Sequence, residues 1–575
     1  EPDLAREWGW RSRVRAYRAA GDLSSARRLA RAVSSDSLDD SAHRAEAARF
    51  AGEIALLERD TAAAIRELRR AMDLAPYATA AVDAARRLSD LRPLTPEDRG
   101  MIGRLYLRHG NLDRGIAGVD AFVKAGGGTA EERAAALLDA RRALFNARRY
   151  TEAERRLLAL GEASDHPAIA AEALLLAGRA QYRLGRVDAA KSTFASAARR
   201  YPGQRGTSEA LFLLGDLEHD AGRLTAAREH YHAAIEAYPT GDDAARAAMR
   251  LGGIAFAAGD ASGAARIFEA YRSVDESDPA YQQATYWAGR SYLALGDTAL
   301  GNERLRETWT LDPASYYGLQ AADRLGANWR DALAQTLEAD DRTLIEATGA
   351  IRRLEILTQA GLERAAELEM DRVRRYFDAR PAALCMLAET MHARDETLAA
   401  VRLGRDIARA AGAWSERVLR IVYPLPFKDL ILREAERHGI DPFLAAGLIR
   451  QESLFDPRAV SGAGAIGLMQ VMPRTGRALG RSEGLGNVTS RRLRTPDVNI
   501  RVGMRYLSDM LDHYSGNIPF VLAAYNAGPT RVARWRKLAE AYDADLFAER
   551  IPYAETRDYV KVVQQNARIY RALYD

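Results

Sequence analysis

Residues 201–239 read YPGQRGTSEALFLLGDLEHDAGRLTAAREHYHAAIEAYP, a segment that opens and closes on the same Tyr-Pro pair. The step between the two tyrosines, 37 positions, recurs on either side of it. Gly178, Gly215, Gly252 and Gly289 are each 37 apart, and Gly185, Gly222, Gly259 and Gly296 keep the same spacing. Phe194, Tyr231, Phe268 and Leu305 form a large apolar column, and Ala190, Ala227 and Ala264 a small one. Four columns in one register identify a repeated structural unit between residues 171 and 313.

Each unit predicts a helix, a turn at its second glycine, a second helix, and a stop at proline or an acid. The first glycine permits close helix approach and the alanine column lets the second helix pack on it. The large apolar column is then expected to fill the gap between stacked hairpins. YRAAGDLSSARRLARAV (17–33) and ALFNARRYTEAERRLLAL (143–160) carry the pattern upstream in degenerate form. SYYGLQAADRLG (315–326) closes the array, and a less periodic helical stretch runs to about residue 420. There, IVYPLPFKDLI places Pro424 and Pro426 in succession, which breaks helix. The expected class is all-α, with an α-solenoid over residues 1–313, a helical linker over 314–421 and a third domain over 422–575.

A chain of 575 residues exceeds a single hydrophobic core. The 83 basic and 79 acidic residues leave a net charge of +4 with the two signs interspersed, which is not the footprint of a nucleic-acid binder. No apolar run approaches the ~20 residues of a membrane span. The first residues, EPDLAREW, lack an initiator Met and a charged-then-apolar leader, so a targeting peptide is expected to have been removed. Cys385 is the sole cysteine, set in AALCMLAE, and reads as a small buried hydrophobe. The nine histidines are scattered and no calcium-type acidic loop occurs, so neither a metal nor another cofactor is expected.

The chemistry concentrates in the last domain. In HGIDPFLAAGLIRQES, Asp441 can cap a helix that starts at Pro442 and runs to about Ser453, carrying Glu452 one turn past Leu448. An apolar face and the negative end of the helix dipole would both raise the pKa of that carboxyl toward a general acid's range. Taken alone, Glu452 reads rather as a helix-end acid paired with Arg450 or Arg458. It is followed by SGAGAIGLMQVMP (461–473), AAYNAGP (523–529) and IPYAETRDYV (551–560), each polar or glycine-rich within a helical context.

The repeats resemble tetratricopeptide-type repeats, with a period slightly above the usual ~34 residues. The last domain resembles the soluble lytic transglycosylase family through Glu452-Ser453, Gly467-Leu468-Met469-Gln470, Ala524-Tyr525-Asn526-Ala527-Gly528, and Ile551-Pro552-Tyr553 with Glu555-Thr556 and Tyr559-Val560. The resemblance implies a lysozyme-like catalytic domain behind a helical superhelix and linker, in a periplasmic protein. It further implies that one glutamate, Glu452, cleaves the bond between N-acetylmuramic acid and N-acetylglucosamine. Glu452 would protonate the leaving oxygen, then take the proton of the muramoyl C6 hydroxyl as a 1,6-anhydro ring closes without water. Ordinary glycosidases need a second carboxylate about 5–9 Å away, and no acid occupies a comparable motif beside the glycine loop. Asp456 reads as a turn residue before Pro457.

The same resemblance assigns substrate-binding positions to Ser453, Ser461, Gln470, Met472, Tyr525, Asn526, Glu555 and Tyr559. Among these, Tyr525 is expected to hydrogen-bond Glu452 and Asn526 to hold a sugar amide, whereas Met469 is expected in the core. Glu555 could equally pair with Arg557 or Arg568. The expected partners are peptidoglycan glycan strands, together with cell-wall proteins bound through the repeats. A hydrolytic, lysozyme-like muramidase and a non-catalytic glycan-binding scaffold are the alternatives.

Overall fold

A computed structural model of the chain describes residues 2–36, 40–91, 94–274, 280–334, 340–394 and 396–575. It is helical throughout, and the described residues contain no strand beyond isolated bridges such as Val460 with Ile466. By internal packing the chain forms two compact units, Glu1–Ala244 and Ala245–Asp575.

The first unit consists of helical hairpins, among them Ala130–Asn146 with Tyr150–Ala163, Pro167–Arg183 with Val187–Arg200, and Arg205–Asp220 with Leu224–Ala237. The turns of this unit at Gly21, Gly110, Gly185 and Gly222 have φ between +75° and +78°, the left-handed region glycine enters without penalty. Where the glycine is missing the conformation persists: Arg59 and Arg148 hold the same turns at φ +63° and +60°. The degenerate upstream segments are therefore hairpins of the same construction.

The first glycine of each unit admits the large apolar side chain of its own hairpin. A Cβ at Gly215 would lie 2.5 Å from the Tyr231 ring, on the second helix of the same hairpin. Gly178 meets Phe194 and Gly252 meets Phe268 in the same way. The large apolar column thus seals each hairpin internally, and at Phe268, whose ring stacks on Trp287 of the next hairpin at 6.2 Å, it also fills the gap between hairpins as expected. Tyr231 is fully buried, and its hydroxyl donates to Asp216 at 2.7 Å, so the ring has little freedom to retreat.

The second unit continues the hairpins and ends them at helix Tyr316–Leu325, capped by Ser315 and stopped by Gly326 at φ +63°. Beyond the short helix Glu416–Val422, Pro424 and Pro426 break the chain before helix Lys428–His438. One apolar core extends from Ala314 to Leu573 and joins residues on both sides of this break. Cys385 is fully buried in it, and burial pushes its thiol up to about 11.

The last hairpin and the closing helix also grip helix Ala544–Arg550. One Asp545 oxygen accepts from Tyr286 (2.6 Å), Arg290 (3.0 Å) and Arg324 (2.7 Å), and the other from Gln320 (3.0 Å). Arg290 also donates to both oxygens of Asp543, at 3.2 and 2.8 Å. This ion network is largely buried, where charge-assisted bonds are strongest and a lost partner costs most.

Two substitutions test the hairpin geometry in opposite directions. Gly215→Ala is expected to destabilise the protein by about 1–2 kcal/mol, because overpacking against the Tyr231 ring outweighs the gain in helix propensity. Arg148→Gly relieves a left-handed residue and is expected to stabilise by about 1 kcal/mol. Thermal melts of both variants provide the check, and an unchanged or raised melting temperature for Gly215→Ala would contradict the seating of the ring on the glycine.

Candidate active site

The site is built on the crossing of two helices, Pro442–Ser453 and Ala554–Tyr574. Asp441 caps the first as its sequence predicts, accepting from the Phe443 N–H at 3.0 Å with Pro442 in the first turn. At Gly447 an added Cβ would lie 2.8 Å from the Ala567 nitrogen and 2.9 Å from the Val563 carbonyl, so the two backbones touch. Asn566 donates across the crossing to the Gly447 carbonyl at 3.2 Å. Leu454 and Phe455, at φ +49° and +63°, then end the first helix abruptly. Two consecutive left-handed residues that are not glycine carry strain of the kind found where a site over-determines its backbone.

Glu452 lies in the last turn of that helix, half-buried. Tyr559, on the crossing helix, donates its hydroxyl to one Glu452 oxygen at 2.6 Å. The second oxygen has no hydrogen-bond partner among the described residues. Burial raises the Glu452 carboxyl from its ordinary 4.5 to about 7, against the lowering effect of the Tyr559 bond and with a further push from the Glu555 charge. Burial likewise drives the Tyr559 and Tyr525 phenols well above their usual range, so both remain donors.

Tyr525 therefore does not make the bond expected of it. Its hydroxyl donates to the Met469 carbonyl at 2.8 Å, which ties helix Ile518–Ala527 to the glycine loop. Both tyrosines stand near the carboxylate, and the one that reaches it is set by the crossing at Gly447, a feature without local sequence signal. Asn526 is also engaged, accepting from the Thr556 hydroxyl at 2.7 Å. Gly528, at φ +90°, and Pro529 turn the chain sharply after it.

The loop over 461–472 is held from several sides. Gly467 has φ +78° and no room for a Cβ, which would lie 2.5 Å from the Leu493 carbonyl. Ser453 donates to the Leu468 carbonyl at 2.9 Å, joining the end of the Glu452 helix to the loop. Gln470, itself at φ +47°, donates to the Ala459 and Gly467 carbonyls at 3.3 and 2.9 Å, and Ser461 accepts from the Ala465 N–H at 3.0 Å. These side chains build the loop before they can touch anything else. Met469 is fully buried, as expected, whereas Met472 is 43% exposed at the loop's end. Asp456 accepts from the Arg458 N–H at 2.8 Å as a turn residue.

Sequence reasoning missed Asn499. Buried in helix Pro496–His513, it accepts from the Met469 N–H at 2.8 Å and donates to the Ile466 and Leu493 carbonyls at 2.8 and 2.7 Å. A polar residue within the apolar run PDVNIRVGM was its only signal. Glu555 is exposed in the first turn of the last helix, close enough to Glu452 to repel its charge. No group of three or more potential metal ligands occurs among the described residues.

Residues 429–548 match the family described as transglycosylase SLT domain, and residues 142–205, 175–242 and 212–279 match the tetratricopeptide repeat. The soluble lytic murein transglycosylases of Salmonella typhimurium and Escherichia coli are each 30% identical over 289 residues. That match takes in 50% of this chain and 43% of each relative, so the chain spans less than half the length of the curated relatives it matches. Among solved structures, an inactive mutant of the lytic transglycosylase Slt from Pseudomonas aeruginosa superposes with a TM-score of 0.65 at 23% identity. The superposition covers 98% of this chain and 86% of that one. At that identity the likeness is one of fold: helical repeats followed by a lysozyme-like domain.

The raised carboxyl has a stability consequence. Because the folded state holds its proton more tightly than the unfolded chain, the contribution of Glu452 to stability is greatest below pH ~4.5 and declines until Glu452 is ionised above ~7, by about 3 kcal/mol. Glu452→Gln removes the buried charge, so the variant is expected to melt higher than the native protein at pH 8, with the difference shrinking toward pH 5. Equal melting temperatures across that range would contradict the burial of the charge.

Proposed function

We propose that the chain, whose residues 429–548 belong to the transglycosylase SLT domain family, is a peptidoglycan lytic transglycosylase. It cleaves the β-1,4 bond between N-acetylmuramic acid and N-acetylglucosamine without water, leaving a 1,6-anhydromuramoyl end. The observation that carries this reading is Glu452, half-buried, hydrogen-bonded by Tyr559 and about half protonated near neutral pH. A carboxyl with a pKa near the working pH can give a proton in one step and take one in the next.

In the first step protonated Glu452 passes its proton to the glycosidic oxygen as the bond to muramoyl C1 breaks, and N-acetylglucosamine leaves with a free hydroxyl. In the second, the Glu452 carboxylate takes the proton of the muramoyl C6 hydroxyl while that oxygen bonds to C1. Glu452 is thereby returned to its starting state, and no water is consumed. Tyr559 holds one carboxyl oxygen still, and the other is left for the transferred proton. In this reading Ser453, Ser461, Gln470 and Tyr525 support the glycine loop against which the sugars lie. Met472, Asn526 and Glu555 contact the sugars at its margins.

The same reading takes residues 1–313, 314–421 and 422–575 as the repeat, linker and catalytic domains. Its partners are glycan strands of the cell wall, with cell-wall proteins on the repeats, and its compartment is the periplasm. No helix of the described residues is long and apolar enough to cross a membrane.

A hydrolytic muramidase is the second reading, favoured by one observation: Glu555 is a second carboxyl near Glu452. Digestion of purified sacculi followed by mass spectrometry separates the two. The expected products carry 1,6-anhydromuramic acid, and Glu452→Gln forms none, whereas Glu555→Gln retains the reaction at a reduced rate. Products ending mainly in reducing muramic acid, with Glu555→Gln as inactive as Glu452→Gln, would establish hydrolysis instead. An inert native protein would leave only a glycan-binding scaffold.

A further inference from the structure

Tyr559 and Lys561 are two positions apart on helix Ala554–Tyr574, hence about 200° apart around its axis. While Tyr559 faces Glu452, Lys561 faces the end of the repeats. Its ammonium donates to Glu549 at 2.6 Å and to the Tyr317 hydroxyl at 2.6 Å. Tyr317 passes its own proton donor to the other Glu549 oxygen at 2.6 Å, and Gln283 and Trp287 donate to the same carboxylate at 2.6 and 3.2 Å. Arg250 donates to the Glu549 backbone carbonyl at 2.5 Å.

Glu549 and Lys561 stand on either side of the turn Ile551-Pro552-Tyr553, so their ion pair closes a bracket across it. The bracket is tied on one side to the last repeat hairpin and on the other to the helix that carries Tyr559. A buried Lys–Glu pair with every donor directed resists rotation far more than an exposed one, because breaking it leaves an uncompensated charge out of water. Burial also lowers the Lys561 ammonium, as does the Arg557 charge, while Glu549 and the Asp558 charge one turn back oppose them.

We propose that Lys561, held by Glu549 and Tyr317, is a positioning residue that fixes the rotation of the last helix and thereby places the Tyr559 hydroxyl on Glu452. The proposal rests on the reading of Glu452 as acid and base. A hydroxyl moved by about 1 Å from 2.6 Å no longer makes a hydrogen bond. The groups facing Glu452 are Tyr559, Tyr525 and Glu555, and those facing Lys561 are Glu549, Tyr316, Tyr317, Arg557 and Asp558. None of the second set is among the groups that shift the Glu452 carboxyl.

The test uses the full chain and four variants: Lys561→Met, Tyr317→Phe, Tyr559→Phe and the double variant Tyr559→Phe/Lys561→Met. Glu452 ionisation is followed by infrared titration as the difference from Glu452→Gln, and kcat/KM on glycan strands is followed against pH. Loss of the Tyr559 bond raises the Glu452 pKa, so Tyr559→Phe and Lys561→Met are each expected to move it upward by about half a unit or more. The alkaline limb of kcat/KM should move with it, and kcat should fall about tenfold.

The double variant is expected to show no further shift. Tyr317→Phe, which keeps the packing, should shift in the same direction by less, and it serves where Lys561→Met does not fold. A Glu452 pKa moved by Tyr559→Phe but unmoved by Lys561→Met and Tyr317→Phe overturns the proposal. So do shifts that simply add in the double variant, since these would mark a direct charge effect. A moved pKa with no matching change in the rate profile speaks instead against Glu452 as the acid and base.

Discussion

The candidate active site depends on one close approach. At Gly447 the helix bearing Glu452 lies backbone to backbone against the last helix, with Ala567 and the Val563 carbonyl where a side chain would otherwise be. Any Cβ there would push the helices apart, and Glu452, just over one turn beyond, would move relative to Tyr559. The depth at which the 2.6 Å bond between them forms is therefore set by a residue with no side chain of its own. Leu454 and Phe455 add a second constraint by ending the helix within two residues of the acid. The carboxyl is fixed along the helix by its termination and across it by the crossing.

Much of this arrangement was legible in the sequence, and the exceptions have a common cause. The repeat period, the helix start at Asp441-Pro442, the raised carboxyl and the buried Met469 all follow from spacing along one element, which sequence displays directly. What failed concerned contacts between elements. The apolar column fills the gap between hairpins at Phe268 and Trp287, but its contact with the glycine of its own hairpin, on the partner helix of the same unit, went unforeseen. Tyr525 and Tyr559 were both visible as candidates, but the choice between them depends on the depth of a helix crossing. Asn499 escaped notice because it lies far along the chain from the loop whose amide and carbonyls it satisfies.

Several motif residues prove to be structural before they can be anything else. Ser453, Gln470, Ser461 and Tyr525 spend their hydrogen-bonding capacity on the loop between 459 and 472. A loop rich in glycine has little intrinsic preference for one shape, and its backbone groups must be satisfied if it is to hold still beside a polar ligand. Pre-organisation of this kind lets a site offer a fixed surface instead of a mobile one that would lose entropy on binding. The polar motif residues and the small ones are thus two halves of one device.

The two arginine turns of the first unit bear on what holds such arrays in shape. At Arg59 and Arg148 the backbone keeps the left-handed bend that glycine takes at Gly21, Gly110, Gly185 and Gly222. Packing of the two flanking helices is evidently enough to hold a turn whose own residue disfavours it. The shape of a unit is consequently not tied to the residue at its turn. Periodicity in the sequence therefore marks only the regular stretch of the array, and the array itself extends further than its repeat can be read.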